Sequence, residues 1–247
     1  MIMPLEFIVP NWPAPKNIKC VTTTRKGGFS KNEYQSFNLG WHVKDDDELV
    51  SRNRKLLKQE LQLPSDPVWL NQVHDKHVLE LEKNTKLNST ADAAYANQAG
   101  IVCAVLTADC LPVVLCDQEG KHIAIAHAGW RGLACGVLED TLQSISADNE
   151  KIICWMGPAI GPKQFEVGKE VLEQFLTKDD KHVNAFVEQS NGKYLADIYQ
   201  LARNVLFKHG VNGIYGGEHC TFSESDKFYS YRRDGGTGRM ANLIWKI

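Results

Sequence analysis

Residues 101–132 read IVCAVLTADCLPVVLCDQEGKHIAIAHAGWRG, and two apolar runs inside this stretch decide the fold. Residues 112–116 and 122–126 flank Asp117-Gln118-Glu119-Gly120. Apolar, β-branched runs on either side of a short Asp- and Gly-containing turn predict a β-hairpin. A four-residue loop pairs Cys116 with Lys121, and counting back along both strands then sets Cys110 opposite His127. Cross-strand neighbours hold their Cβ atoms roughly 4.5–5.5 Å apart, close enough for a thiolate and an imidazole to share a metal or a proton. A slip of one residue would turn one of the pair to the other face, so the pairing is conditional on the loop.

Working outward, Thr107-Ala108-Asp109 precedes Cys110, and Ala128-Gly129-Trp130-Arg131-Gly132 follows His127. Leu133, Val137, Leu138, Thr141, Leu142 and Ile145 recur at helical spacing, which predicts a helix from near Trp130. Its first amides would face the same corner and favour an anion there. Upstream, residues 67–70 read as a strand running into Asn71-Gln72-Val73-His74, which offers His74 as a third ligand, with His77 as a competitor.

The chain has 247 residues with 28 Lys and Arg against 30 Asp and Glu, a net charge of -2 that gives no basic footprint for nucleic acid. This length suits one large domain spanning residues 1–247. No run approaches the roughly 18 apolar residues of a membrane span. The first sixteen residues carry an acid and prolines without a basic leader region, so no signal peptide is expected. Seven cysteines, with Cys103, Cys116 and Cys154 inside apolar runs, fit reduced thiols in a cytoplasmic protein better than a disulfide framework.

Arg25-Lys26-Gly27-Gly28 is a basic glycine turn that either wraps an anion or is a plain turn. Asp45-Asp46-Asp47 caps a helix through about residue 61, which carries Arg52 and Arg54. Residues 78–81 read as a strand and 83–90 as a polar connection. Residues 152–155 read as a buried strand that ends at Gly157-Pro158-Ala159-Ile160-Gly161-Pro162, a rigid loop suited to a pocket wall. Residues 166–176 and 194–206 read as helices, and 228–247 as a closing hairpin around Gly235-Gly236-Thr237-Gly238. Interspersed helices and antiparallel hairpins predict an α+β fold with a mixed, largely antiparallel sheet.

His74, Cys110 and His127 make an N₂S set that suits zinc with a fourth position open, although their spacing matches no compact zinc motif. Three separately buried core residues are the competing reading. Without metal, Cys110 beside His127, with Asp109 adjacent, reads as the nucleophile–base pair of a cysteine hydrolase. Thiolate and imidazole also suit copper, for which Met156 and Met240 are the axial candidates to place. A structural metal or binding module is the non-enzymatic reading.

NQVH at 71–74, TADCLPVVL at 107–115, HAGWRG at 127–132, GPAIGP at 157–162 and YSYRRDGGTGRMA at 229–241 together resemble one family. TTTRKGG at 22–28, FNLG at 37–40 and NR at 53–54 fit it too. It is the laccase-domain or "polyphenol oxidase" family, also described as purine nucleoside phosphorylases and as peptidoglycan editing factor. The resemblance implies a single-domain α/β/α sandwich similar to toxin-type cysteine hydrolases, with zinc on His74, Cys110 and His127. It further implies phosphorolysis of adenosine, inosine and methylthioadenosine, and adenosine deamination. The partners would be a purine nucleoside and phosphate, with no nucleic acid, membrane or protein partner. Asp109 is then the candidate proton shuttle, and Arg25, Arg54 and Arg131 the candidates for phosphate, which arginine binds bidentately. A copper polyphenol oxidase and a Cys–His amide hydrolase of peptidoglycan precursors stay as alternatives. Asp75 stands where this family often has glycine after NQVH.

Overall fold

The β-rich centre forms as its apolar runs require. The computed structural model describes residues 4–85 and 88–247. Residues 1–3, within the stretch read for a leader, and 86–87, within the polar connection, lie outside the described residues. In chain order the strands are β1 (Phe7–Ile8), β2 (Ile18–Thr23), β3 (Val68–Trp69), β4 (Val78–Glu80), β5 (Ala93–Ala96), β6 (Val102–Thr107), β7 (Leu111–Asp117), β8 (Ile123–Ala128), β9 (Ile152–Met156), β10 (Glu166–Val167), β11 (Phe186–Glu188), β12 (Tyr194–Ala196), β13 (Gly213–Gly216) and β14 (Met240–Lys246). The helices are α1 (Asp47–Glu60), α2 (Trp130–Cys135), α3 (Val137–Ser144), α4 (Lys169–Leu176), α5 (Ile198–Lys208) and α6 (Tyr231–Asp234).

Two sheets carry the molecule, in orders β1-β2-β14-β6-β3 and β13-β9-β7-β8-β5-β4, with a small β10-β12-β11 sheet beside them. Most pairings are antiparallel; β3–β6, β4–β5 and β9–β13 are parallel. Side-chain alternation sorts each strand between two cores. Cys103 and Val105 of β6, Val114 and Cys116 of β7, Ile123 and Ile125 of β8 and Ile244 of β14 share one core, so the two large sheets face each other. Val113, Leu115, Ala124 and Ala126 point the other way, against Leu133, Leu138 and Leu201 of the helices. On the far face of the five-stranded sheet, Ala104, Leu243 and Trp245 meet Leu57 of α1. The fold is α+β with mixed sheets, a sandwich whose β layer is double. Strands buried on both faces read as continuous apolar runs, as β6, β7 and β8 do.

The hairpin register differs from the count above. β7 and β8 pair Cys116 with Ile123 and Pro112 with His127, so Cys110 lies opposite Gly129 rather than His127. The cause is Asp117, whose buried carboxylate accepts the amides of Glu119, Lys121 and His122 and draws two further residues into the turn. The displacement is two residues, which preserves parity, and Cys110 and His127 keep the face turned to the other sheet.

Four elements also depart from expectation. The helix after His127 breaks at Gly136, whose φ of 104° is left-handed, so α2 has only six residues and is too short to present an anion-binding terminus. Residues 166–167 and 194–196 are strands, and the helices start later, at Lys169 and Ile198. The expected closing hairpin is α6 followed by β14. Ser230 Oγ caps α6 by accepting the Arg233 amide, and Gly235 ends it at φ 68°.

Asn53 joins α1 to the glycine turn and its following loop. Its Oδ1 accepts the Phe29 amide at 2.8 Å, and its Nδ2 donates to Ser30 Oγ at 3.0 Å and the Asn38 carbonyl at 2.8 Å, all with the side chain fully buried. Asn53→Ala leaves these groups unpaired at about 1–3 kcal/mol each, so a melting temperature lower by at least roughly 6 °C is expected by calorimetry. A change within about 2 °C would show that water replaces the lost bonds.

Candidate functional site

The end of the seam between the two large sheets gathers the reactive side chains. Cys110 sits just before β7 and His127 near the end of β8, both on the face turned to the seam. His74 arrives on the loop after β3, in a left-handed conformation with φ 63°. Its position is set by Asp92, a fully buried residue just before β5. Asp92 Oδ2 accepts the amides of Val73 at 3.0 Å and Asp75 at 2.9 Å, while Oδ1 accepts the His74 amide at 2.9 Å. Oδ1 also lies 2.8 Å from His127 Nδ1. One carboxylate therefore wraps the His74 loop and orients the His127 ring. Sequence reading missed it; the signal is a single acid inside Ala91-Asp92-Ala93-Ala94, whose partners are far away in the chain.

His77, the competitor, lies outside the cluster, and its carbonyl accepts the amides of Asp92 and Ala93. The ligand atoms of His74, Cys110 and His127 all lie within 4.8 Å of one another, with Cys110 Sγ 3.8 Å from His74 Nε2. Zinc bond lengths of about 2.0–2.3 Å give tetrahedral edges of roughly 3.3–3.6 Å, so small rotations bring the three onto one ion. The Asp92 contact occupies His127 Nδ1 and leaves Nε2 for the cluster. A side chain at Gly129 is excluded, because a Cβ there would stand 2.9 Å from Cys110 Sγ and 3.2 Å from His74 Cδ2.

Burial alone would push the Cys110 thiol up, but the charge and hydrogen bonds of His127 and His74 outweigh it and bring it to about 6. Burial likewise opposes charging of His127, but the Cys110 charge and Asp92 bring it up to about 9. Without metal the pair is a thiolate and an imidazolium. A metal needs the neutral ring, so binding must expel the His127 proton. Zinc affinity, measured against a chromogenic chelator, is expected to rise up to about tenfold per pH unit as pH climbs from about 6 to about 9, and to fall more steeply below about 6 as the thiol protonates. Affinity independent of pH across that window would refute the imidazolium assignment.

The cluster opens on a cavity of about 510 Å³. Trp130, Ile160, Phe165, Ile198 and Tyr231 give it an apolar side, and His42, Arg131, Arg232 and Arg239 line it as well. Ile160 comes from the double Gly-Pro loop read as a pocket wall. Gln72 also lines it, but its amide is consumed by the Leu106 backbone, donating to the carbonyl at 2.9 Å and accepting the N–H at 2.8 Å. Asp109 is 8% exposed, and each of its oxygens is engaged, Oδ1 by Thr221 Oγ1 at 2.6 Å and Oδ2 by the Arg232 amide at 2.7 Å. These bonds tie Asp109, the candidate proton shuttle, to Thr221 and to the first turn of α6.

The arginines named from sequence divide. Arg131 lines the cavity, with its guanidinium over the Trp130 ring. Arg25 is not among the lining residues; it donates to the carbonyls of Gln35 and Ser225 and stacks on Tyr229. The glycine-turn amides are spent too, Gly28 on Ser36 Oγ and Phe29 on Asn53. Arg54 turns inward between the rings of Trp41 and Trp69, behind the loop that carries His42. Burial and the charges of Arg239 and Arg54 bring His42 down to about 4. Arg232 and Arg239 lie in a segment whose sequence reads as a hairpin, and α6 with the loop before β14 brings them to the cavity instead. The two methionines lie outside the cluster: Met240 Sδ accepts the Tyr229 amide and Met156 packs in the helix-side core.

Residues 19–247 match the family described as multi-copper polyphenol oxidoreductase laccase. A protein of Escherichia coli strain K12 named purine nucleoside phosphorylase YfiH is 52% identical over 242 residues, 98% of this chain and 99% of that one. A purine nucleoside phosphorylase of Haemophilus influenzae is 50% identical over 243 residues, with the same coverage of both. Among solved structures, Neisseria meningitidis protein NMB0706 superposes with a TM-score of 0.94 at 48% identity, covering 97% of this chain and 98% of its own. YlmD of Geobacillus stearothermophilus gives 0.87 at 31% identity, covering 94% and 92%. With the family match running through every part of the cavity, the chain belongs to the multi-copper polyphenol oxidoreductase laccase family.

Proposed function

We propose that this chain is a zinc-dependent purine nucleoside phosphorylase that accepts adenosine, inosine and methylthioadenosine and also deaminates adenosine. The observation that carries the reading is a cavity with three metal-ligating side chains beside an apolar, aromatic side and a cationic one. The names of the relatives support it. In phosphorolysis an oxygen of phosphate bonds to ribose C1′ as the bond to the purine nitrogen breaks. The electron pair of that bond leaves with the base, which takes up a proton. In deamination water replaces the C6 amino group, which departs as ammonia. Zinc held by His74, Cys110 and His127 would supply a Lewis acid able to lower a bound water's pKa to about 7.

The residues of the chain do the rest. Trp130, Phe165, Ile160 and Ile198 offer a face for a planar base, and burial of an aromatic system there favours binding without reading its edge. With the Gln72 amide spent on Leu106, that side chain is not free to distinguish adenine from hypoxanthine, which fits broad purine acceptance. Arg131, Arg232 and Arg239 give the cavity the charge to hold phosphate. Seven free cysteines support a reducing, cytoplasmic setting, and no helix among the described residues is long and apolar enough to cross a membrane.

A second reading has its own observation. Asp92, His127 and Cys110 form an acid–imidazole–thiolate series, the arrangement a cysteine amide hydrolase uses. Incubating metal-replete protein with adenosine, with and without phosphate, is expected to give adenine and ribose 1-phosphate only with phosphate, and inosine in both. Neither product would sink the purine reading, and one copper per chain with phenol oxidation would favour an oxidase.

Cys110 variants separate ligand from nucleophile. Cys110→Ala is expected to lose both zinc and turnover, while Cys110→Asp keeps part of the zinc, because a carboxylate can replace a thiolate as ligand but not in covalent catalysis. A folded, zinc-loaded, inactive Cys110→Ala protein, with a wild-type covalent adduct on the sulfur, would establish the hydrolase instead.

A further inference from the structure

Two guanidinium groups meet at the loop of residues 38–42 with no acid between them. Arg54 donates Nε and Nη2 to the single Leu39 carbonyl, at 3.0 and 2.7 Å, and its buried Nη1 has no hydrogen-bond partner among the described residues. Its faces are closed by Trp41 at 3.8 Å and Trp69 at 4.0 Å. Arg239 is zipped to the same loop, its amide donating to Asn38 Oδ1 at 2.9 Å and its carbonyl accepting the Leu39 amide at 3.2 Å. Its side chain uses Nη1 on the carbonyls of Thr237 and Gly238, leaving Nε and Nη2 without a partner among the described residues. Gly40 lets Arg239 and His42 lie together: a Cβ there would be 2.9 Å from Arg239 Cγ and 3.4 Å from His42 Cε1. Both Arg239 and His42 line the cavity. The acid of this loop, Asp45, is occupied by Asn38 Nδ2 and the Asp46 amide, and no carboxylate among the described residues pairs with either arginine. Cys110 and Asp109 lend Arg239 some negative charge from a distance, but part-buried positive charge without a paired carboxylate is costly, and an anion offsets it.

We infer that Arg239 and His42, with Arg54 stacked behind them, form an oxyanion subsite that holds inorganic phosphate beside the metal cluster. Of the three arginines read from sequence as phosphate candidates, only Arg54 belongs to it. Arg25 is spent on carbonyls outside the cavity, and Arg131 is exposed on Trp130. The planar fork of Arg239 supplies the donors that a tetrahedral oxyanion accepts, His42 supplies another, and Arg54 contributes charge. The use of this phosphate in catalysis rests on the phosphorolytic reading; its binding does not.

Titrating zinc-loaded full-length protein with inorganic phosphate alone, by calorimetry, tests the site directly. Arg239→Gln is expected to weaken phosphate binding by about tenfold to a hundredfold. In turnover the same variant is expected to raise the KM for phosphate by that factor. Equal phosphate binding by wild type and Arg239→Gln overturns the proposal, as does wild-type protein that binds no phosphate. Phosphate binding that vanishes on metal removal and ignores Arg239→Gln assigns the anion to the metal and overturns it too. Should Arg239→Gln fail to fold, His42→Gln replaces it, with weakened phosphate binding expected and unchanged binding overturning the subsite. Phosphate held through Arg239 without any ribose 1-phosphate formed leaves the subsite standing and removes the phosphorolytic reading.

Discussion

The cluster depends on one buried carboxylate. Asp92 takes three consecutive backbone amides, of residues 73–75, and the Nδ1 side of the His127 ring. Burying a charge is costly unless it is fully hydrogen-bonded. Burial does push this carboxyl up, but His127 and the amides of Asp75 and Val73 outweigh it and hold it below its ordinary value. These bonds also offset the roughly 1–3 kcal/mol that a non-glycine residue costs in the left-handed region, where His74 sits. Two side chains that approach from different segments are thus fixed by the same pair of oxygens, and Cys110 enters a frame already set.

Charge in the cavity is distributed with the same economy. The aromatic and aliphatic side chains come from α2, α5, α6 and the loops around Ile160 and Phe165, on the helix side of the six-stranded sheet. The guanidinium groups of Arg54 and Arg239 come from the five-stranded side, tied to the loop at Leu39. The trio of His74, Cys110 and His127 lies between. Under the proposed function, a planar base and an anion would each find a side prepared before arrival, which lowers the ordering cost of binding.

Local pattern exposed much of this and missed what depends on distant partners. Apolar runs located β7, β8 and β9, because strands buried on both faces carry an unambiguous signal. Parity rescued the Cys110–His127 relation: the loop count was off by two, and only an odd error would have separated them. The turn was longer than composition suggests because Asp117 chose three amides, a decision that side-chain geometry makes and residue type does not. Asp92 was invisible for the same reason. Long side chains were least legible. Arg25, Arg54 and Arg131 differ in fate only by which carbonyls and rings lie within reach, and Arg239 is placed by Asn38, two hundred and one residues away in sequence.

The position of the trio across the seam has a mechanical meaning. Cys110 and His127 belong to the six-stranded sheet, whereas His74 hangs from β3 of the other. An ion held by all three would act as a rivet between the two sheets, at the end where residues 108–110 carry the chain from β6 to β7. Because such an ion binds the assembled trio and not the unfolded chain, its concentration feeds into the packing of the sheets by mass action. Metal supply would then be one of the terms that set the stability of the fold.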